Sequence, residues 1–285
     1  MVFARDWFSS RLSVYSSPHL AKPLSVSSNL RTTQTDNEKM KDNFSTQSDK
    51  YAKFRPTYPS DLFAFLNESV PDKFNTWDCG TGNGQVAFEL AKTFDNVFAT
   101  DISQQQIDNA LQADNISYSV QPAEKTNFDN GLFDLIVVAQ AIHWFDFDKF
   151  YAEVSRTAKD NALLCVVGYG KLEINGQIDY LISDFYENVI GRYWDKERKY
   201  IDENYKTIPF PFDEIQKPNL AITQHWTLEH LIGYLNTWSA VKHFIKENDF
   251  NPVDKLKTEI EKYWDYEQIK KVSFPLFLRI GRITK

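Results

Sequence analysis

The sequence predicts an α/β fold in which a doubly wound, mostly parallel sheet carries helices on both faces. Residues 74–101 contain an apolar run ending in Asp78, a glycine-rich turn, a helical pattern and a second apolar run ending in Asp101. Strand, turn, helix, strand and terminal acid form a βαβ unit of the kind that binds a nucleoside. Further along, the run from Phe133 to Ala139 is typical of a strand buried on both faces of a parallel sheet.

Three glycines occupy alternate positions after the first strand, at Gly80, Gly82 and Gly84, with Thr81 between the first two. Glycine lets the backbone approach a ligand where a Cβ would clash, so we expect this turn to contact a cofactor. A dinucleotide fingerprint, G-x-G-x-x-G, counted from Gly80 would need a further glycine where the chain has Gln85. The turn therefore departs from the dinucleotide pattern.

Two carboxylates flank the turn. Asp78 would repel a pyrophosphate, whereas it would attract the cationic amino-acid end of S-adenosylmethionine. Asp101, at the tip of the second strand, is placed to accept hydrogen bonds from both ribose hydroxyls of a nucleoside. The D-x-G-x-G-x-G spacing from Asp78 to Gly84 resembles that of the class I S-adenosylmethionine-dependent methyltransferases. A glycine turn that merely closes a βα unit is the alternative.

The resemblance implies S-adenosylmethionine as cofactor and a Rossmann-like, seven-stranded sheet whose last strand runs antiparallel at the edge. We place the fifth strand at 162–168, the sixth at 221–226 and the last at 272–280. Pro275 within the last strand suits an edge or a bulge, because proline cannot donate to the strand ladder.

The composition limits the classes of molecule that we expect this protein to bind. The net charge of −7 argues against a polyanionic partner such as nucleic acid. No apolar run approaches the ~20 residues that span a bilayer. Cys79 and Cys165 lie in apolar runs and the histidines show no ligand spacing, so we expect neither a disulfide nor a metal site. We therefore expect a cytoplasmic monomer or homodimer that acts on a small molecule, with no nucleic acid or membrane partner.

Residues 1–39 differ from the rest, since they are rich in serine, carry scattered arginines and have few acids. This composition is that of an unstructured tail, of a transit peptide, or of sequence lying ahead of a true start at Met40. We expect no fold there. Residues 40–285 are predicted to form a single domain.

The segment before the first helix reads YAKFRPTYP from Tyr51 to Pro59. It resembles the Tyr-x-x-x-Arg-Pro-x-Tyr-Pro entry segment of the trans-aconitate methyltransferase-like group. The resemblance implies that Tyr51 and Arg55 lie on a lid across the cofactor. A simple lead-in to the helix, with an exposed arginine, is the alternative.

Residues near the second and third strands are candidates for the adenine pocket. Ile102, directly after Asp101, is placed to pack against the adenine face. The third strand, 116–120, leads into a turn whose Ala123 and Glu124 contact the adenine amine, by resemblance. For Glu124 an exposed surface position is the alternative.

The fourth strand ends at Gln140, which we expect to contact the cofactor, and His143 and Trp144 follow. The carboxyl ends of parallel strands carry the site in such folds. His143 and Trp144 therefore lie where the transferred methyl group should point, and their His-Trp-Phe sequence resembles the same methyltransferase group. His143 is the candidate catalytic base, although a lone histidine is as readily structural.

The segment 171–220 is dense in aromatic residues, and we expect a helical cap, inserted after the fifth strand, that covers the substrate. Its YWDKER sequence, with Trp194 and Arg198, resembles the Tyr-Trp-x-x-x-Arg of the family, and Trp238 in NTWSAVKHF matches as well. An arginine among rings suits a carboxylate, which it binds bidentately. A solvated charged helix is the alternative for Arg198.

The predicted function is methyl transfer from S-adenosylmethionine to a small molecule, with O-methylation of a carboxylic acid as one candidate reaction. A carboxylate is ionised at neutral pH and needs no base, whereas a hydroxyl or amine acceptor would need one. Two alternatives remain, a nicotinamide-dependent oxidoreductase and a non-catalytic relative that binds the cofactor.

Overall fold

The computed structural model describes residues 53–285. The predictions for Tyr51 and for residues 1–39 lie outside this range. The strands are Asn75–Cys79 (β1), Asn96–Asp101 (β2), Ile116–Val120 (β3), Phe133–Ala139 (β4), Ala158–Tyr169 (β5), Asp213–Glu214 (β6), Ala221–Trp226 (β7) and Lys270–Arg282 (β8). The α-helices are Ser60–Ser69 (α1), Gln85–Leu90 (α2), Gln104–Asp108 (α3), Phe147–Thr157 (α4), Gly176–Asp184 (α5), Arg198–Asp202 (α6), Leu228–Leu235 (α7), Ser239–Asn248 (α8) and Val253–Ile260 (α9).

The strands form one mixed sheet in the order β3-β2-β1-β4-β5-β8-β6, with β7 also paired to β8. Strands β1 to β5 pair in parallel and β8 is antiparallel to β5. The predicted doubly wound, mostly parallel sheet is confirmed. The seven predicted strands are present, and the additional strand, β6, is two residues long.

The prediction that the last strand lies at the sheet edge is wrong. The second half of β8 pairs with β5, its first half pairs with β7, and its C-terminal end also pairs with β6. The strand is long enough to pair with β7 along its first half and with β5 along its second half. Pro275 pairs with Ala221 of β7 where the pairing to β5, which begins at Leu276, has not yet started. The proline therefore has a paired strand on one side only, and a residue without an N–H is tolerated at such a position.

Two apolar layers cover the faces of the sheet. Leu135 and Val137 of β4 pack with α1 and α2 on one face, whereas Ile136 and Val138 pack with α4 on the other. Successive side chains of a strand point to opposite faces, so a strand buried on both sides must be apolar at every such position. This explains why β4 is apolar from Leu135 to Ala139. Asp134, near the start of the strand, is buried as well, but it is paired with the Lys159 ammonium and accepts from the Asn75 N–H.

The segment between β5 and β7 is helical and aromatic. It contains α5, a π-turn at Phe185–Val189, a 3₁₀ turn at Gly191–Tyr193, and α6. Tyr186 of this segment shares one apolar core with Trp238 and with α7 and α9. Within residues 53–285, no helix combines the length and apolar character needed to span a membrane.

Candidate functional site

A cavity of about 400 Å³ opens at the C-terminal ends of the parallel strands. Parallel strands end at the same edge of a sheet, so residues far apart in sequence meet there. Eleven predicted site residues line this cavity: Arg55, Asp78, Gly80, Thr81, Gly82, Asp101, Ile102, Ala123, Glu124, Gln140 and Trp144. Gly84, His143, Trp194, Arg198 and Trp238 do not line it.

The glycine turn is shaped by close approaches on two sides. Gly80, Gly82 and Gly84 all have positive φ values, of 71°, 55° and 77°. A Cβ on Gly80 would lie 2.6 Å from the Cβ of Ala141, and a Cβ on Gly84 would clash with the Tyr118 hydroxyl. A Cβ on Gly82 would meet nothing within 4 Å. The outer glycines are thus required by packing, whereas Gly82 leaves open space at the cavity.

Asp78 is a buried carboxylate with one unsatisfied oxygen. Its Oδ2 accepts hydrogen bonds from the Thr81 hydroxyl at 2.5 Å and from the Ala87 N–H at 2.9 Å, while its Oδ1 is buried and has no hydrogen-bond partner. Burial raises the pKa of Asp78 from 3.8 to about 7, and the charge of Asp101 adds to this rise. A cationic group in the cavity would favour the ionised form and satisfy Oδ1.

Asp101 is held in place by the backbone around the turn. Its Oδ2 accepts from the Gly82 N–H and its Oδ1 from the Ser103 N–H, both at 2.9 Å. Burial raises the pKa of Asp101, and the N–H groups of Ser103, Gly82 and Ile102 counter this rise. Each oxygen keeps further lone-pair capacity, so the carboxylate can accept two hydroxyl donors from the cavity.

An apolar slot lies beside Asp101. The side chains of Ile102 and Val120 line the cavity although they are 37% and 43% exposed. The buried Ala123 lies on the same wall, and Glu124 binds the Asp146 N–H through Oε1 at 3.0 Å. Val120 was not predicted as a site residue, although its position at the end of β3 could have identified it as one. Flat apolar walls with few polar groups suit a heteroaromatic ring.

Gln140 holds two strand ends together. Its side-chain amide donates to the Tyr169 carbonyl at 2.9 Å and accepts from the Tyr169 N–H at 3.1 Å. Its φ of 56° lies in the left-handed region, which is strained for a residue with a side chain. Although Gln140 lines the cavity, these bonds direct its polar groups at β5. Tyr169 also lines the cavity and was missed by sequence reasoning, although it directly follows Gly168 at the end of the fifth strand.

His143 lies beside the cavity wall and is 5% exposed. Its Nδ1 is 2.9 Å from the Tyr205 hydroxyl, and its ring centroid is 5.0 Å from that of Trp144, which does line the cavity. Burial lowers the pKa of His143 to about 3, and the charge of Arg198 lowers it further. The ring is therefore neutral at physiological pH, and its role as a catalytic base stays a prediction.

Three residues predicted to bind substrate cluster together, and the helix α6 that begins with one of them packs against residues 142–144, of which Trp144 lines the cavity. The rings of Trp194 and Trp238 have centroids 5.5 Å apart. The guanidinium carbon of Arg198 lies 4.5 Å from the Trp194 ring centroid, and Arg198 Nε donates to the Tyr186 hydroxyl at 2.7 Å. The Arg198 side chain is 16% exposed, with Asp202 Oδ1 at 3.5 Å from Nε. Arg198 is therefore a largely buried cation among rings, and the alternative of a solvated side chain is wrong.

Arg55 bridges the cavity and the C-terminal helices. Its Nη1 lies 3.4 Å from the Tyr169 hydroxyl, and its Nη2 lies 3.5 Å from the Thr237 carbonyl. Its guanidinium carbon is 5.5 Å from the Tyr234 ring centroid. The side chain is half-buried, so the alternative of an exposed arginine is wrong as well.

A doubly wound sheet, a glycine turn at the end of β1 and acids at the tips of β1 and β2 together define a site of the class I methyltransferase type. Comparisons with known proteins agree. Residues 77–166 match a family model described as a methyltransferase domain. A Dictyostelium discoideum protein named as a methyltransferase is 32% identical over 252 residues, which cover 86% of this chain and 96% of that protein.

A solved structure from Anaeromyxobacter dehalogenans, described as a type II methyltransferase, superposes with a TM-score of 0.76 at 36% identity. The match covers 81% of this chain and 99% of that one. An uncharacterised methyltransferase from Mycobacterium tuberculosis is 27% identical over 184 residues, covering 64% of this chain and 70% of that protein. The chain belongs to the methyltransferase family.

Proposed function

We propose that this chain is an S-adenosylmethionine-dependent methyltransferase that methylates a carboxylate oxygen of a small molecule, as in the trans-aconitate methyltransferase-like group. The observation that carries the cofactor is the buried, unpartnered Oδ1 of Asp78 in the same cavity as Asp101. A buried carboxylate oxygen without a partner is costly, so it points to a cationic ligand group.

The cavity fits this cofactor in size and in chemistry. Its volume of about 400 Å³ is within the roughly 300–1,000 Å³ usual for small-ligand sites. Asp78 would hold the ammonium of the methionine part, and Asp101 would accept both ribose hydroxyls. Ile102 and Val120 would enclose the adenine ring.

When bound, the cofactor supplies an electrophilic methyl group on a positively charged sulfur. The chain's contribution is to hold an acceptor oxygen in line with that group and to exclude water from it. The cavity lining, as far as residues 53–285 describe it, includes neither histidine nor lysine. A carboxylate acceptor needs no base because it is already ionised at neutral pH, so this lining is compatible with a carboxylate acceptor.

The aromatic cluster supports an anionic acceptor. Arg198 binds Tyr186 through Nε and stacks on Trp194, while its terminal nitrogens make no hydrogen bond within the described part of the chain. A guanidinium held in this way presents two parallel donors, which match a carboxylate. The helix α6, which begins at Arg198, packs against residues 142–144, and Trp144 of this stretch lines the cavity, so the cluster adjoins the site.

The cofactor is tested by calorimetric titration of the full chain and of its Asp101→Ala variant with S-adenosylmethionine and S-adenosylhomocysteine. We expect micromolar binding that the variant weakens about tenfold or more, corresponding to about 1.4 kcal/mol. A folded wild type that binds neither ligand, or that binds NAD instead, would overturn the proposal.

The acceptor is tested by following S-adenosylhomocysteine release across panels of small carboxylic acids, phenols and amines. We expect turnover in the carboxylic acid panel. Turnover with phenols alone would contradict the carboxylate part, and cofactor binding with no turnover across all panels would favour a non-catalytic relative.

A further inference from the structure

Gly233 is a glycine inside α7, Leu228–Leu235, that the helix itself does not require. Its φ lies outside the left-handed region, so the backbone at this position would accept alanine. Glycine inside a helix is less favourable than alanine, because it loses more conformational freedom on folding. The reason for this glycine therefore lies outside α7.

The ring of Phe54 packs against α7 at the point where Gly233 has no side chain. A Cβ on Gly233 would lie 2.6 Å from Cζ of Phe54 and closer still to two other carbons of the ring. These separations are shorter than van der Waals contact, so an alanine at position 233 would displace the ring. The ring also meets His230, one turn earlier in α7, edge to face with a centroid distance of 5.3 Å. Gly233 thus provides the space in which Phe54 lies.

Phe54 is joined to the wall of the cavity by a short and stiff stretch of chain. Three of the next four residues line the cavity, namely Arg55, Pro56 and Tyr58. Proline fixes its own φ and restricts the residue before it, so Pro56 and Pro59 leave this stretch few alternative conformations. Phe54 and Gly233 do not line the cavity themselves. A displacement of Phe54 is therefore expected to move the cavity wall.

Arg55 contacts the same part of the chain as Phe54. Its guanidinium carbon is 5.5 Å from the ring centroid of Tyr234, the residue after Gly233. Its Nη2 lies 3.5 Å from the Thr237 carbonyl oxygen. A hydrogen bond of this length is at the upper limit, so it tolerates little further separation. The position of Arg55 at the cavity thus depends on how closely Phe54 approaches α7.

We propose that Gly233 is a positioning residue for cofactor binding, although it lies outside the cavity. The space above it holds the Phe54 ring, and the ring fixes Arg55, Pro56 and Tyr58 in the cavity wall. The consequence for the cofactor rests on the proposed methyltransferase function, whereas the packing of Phe54 on Gly233 does not.

The test is a double-mutant cycle on the full chain, with wild type, Gly233→Ala, Phe54→Ala and the double variant. The Kd of S-adenosylhomocysteine is measured by calorimetry, and the Tm is measured without ligand. Gly176→Ala is the matched control, made in both the wild-type and the Phe54→Ala backgrounds. Gly176 belongs to α5, and a Cβ there would meet no atom within 4 Å.

We expect Gly233→Ala and Phe54→Ala each to weaken S-adenosylhomocysteine binding about tenfold. In the Phe54→Ala background, Gly233→Ala should have no further effect on the Kd, because no ring remains to be displaced. The Tm tests the packing without any ligand. Gly233→Ala should raise the Tm in the Phe54→Ala background, where only the helix preference for alanine remains, and should raise it less or lower it in wild type. Gly176→Ala should leave the Kd unchanged and shift the Tm equally in both backgrounds.

A Gly233→Ala variant that binds S-adenosylhomocysteine as wild type does would refute the positioning role, even if its Tm depends on Phe54. Additive effects of the two substitutions on the Kd would refute it as well. If wild type does not bind S-adenosylhomocysteine, the cofactor proposal fails on its own account. Crystal structures of wild type and Gly233→Ala then decide whether the wall is positioned, and an unmoved Arg55 and Tyr58 would overturn the inference.

Discussion

Replacing Asp78 with asparagine separates the stability of the fold from cofactor binding. Burial raises the pKa of Asp78 from 3.8 to about 7. A rise of about three units makes the ionised carboxylate cost the folded state roughly 4 kcal/mol at pH 8. Asparagine removes this charge, yet its oxygen can still accept from Thr81 and Ala87. Its amide nitrogen replaces the unpartnered Oδ1 and remains unsatisfied, at a cost of about 1–3 kcal/mol.

We therefore expect Asp78→Asn to stabilise the cofactor-free protein at pH 8 by about 1–3 kcal/mol. For a folded unit of this size that corresponds to a rise in Tm of roughly 3–10 °C. The gain in stability disappears in acid. The folded carboxyl takes up its proton below about pH 7 and the unfolded one only near 3.8, so wild-type Asp78 stabilises the fold at low pH and loses this effect as pH rises through 7. At pH 5 the variant should gain nothing.

The assay is thermal denaturation at pH 5 and pH 8, followed by titration with S-adenosylhomocysteine. We expect the stabilised variant to bind this ligand at least about tenfold more weakly, because asparagine offers no charge to the ammonium. At pH 6, wild type should release a proton on binding, since the ammonium favours ionised Asp78. Titrations in buffers of different ionisation enthalpy measure that proton.

Asp134→Asn is the matched control. Asp134 is 6% exposed, but its Oδ1 pairs with the Lys159 ammonium at 2.5 Å and its Oδ2 accepts from the Asn75 N–H at 2.9 Å. The same substitution there breaks an ion pair, so it should lower the Tm at pH 8. The reasoning about Asp78 is refuted if Asp78→Asn also lowers the Tm at pH 8, or if it leaves ligand affinity unchanged.

Three further predictions concern the turn, the buried histidine and the arginine. Gly84→Ala should lower the free energy of unfolding, measured by urea denaturation, by about 2–4 kcal/mol, because its new Cβ has a positive φ and clashes with Tyr118. The Cβ of Gly82→Ala meets no atom, so this variant should lose less stability, and equal losses would contradict the prediction. Neutral His143 should destabilise the fold by about 2–3 kcal/mol between pH 6.5 and 4.5, because the unfolded state protonates it and the folded state, with a pKa of about 3, does not. Protonation of Asp78 offsets this loss in wild type, so the measurement is the difference in free energy of unfolding between His143→Gln and wild type, which should shift by that amount in favour of the variant; a difference that does not change with pH would contradict the prediction. Arg198→Lys should raise the acceptor KM about tenfold and leave the Kd of S-adenosylhomocysteine unchanged, since lysine cannot bind a carboxylate bidentately; a change in that Kd alone would refute it.

The sequence by itself determined the elements whose signals are local. The glycine turn with Asp78 and Asp101 was recognisable because its spacing reflects close backbone contacts within one βαβ unit. Strands β4 and β7 have the predicted bounds, since apolar periodicity and strand ends depend on neighbouring residues. The cavity at the strand ends followed from the parallel topology.

The tertiary structure alone decided what depends on distant partners. The interior position of β8 arises because β7 and β6 pair along its outer side, which no pattern within residues 272–280 encodes. His143 follows β4 as predicted, yet packing sets its ring against Tyr205. Arg55 contacts the Thr237 carbonyl only because chain folding joins segments 182 residues apart. Sequence periodicity indicates which side of an element is buried, but the contacts between such sides exist only in the folded chain.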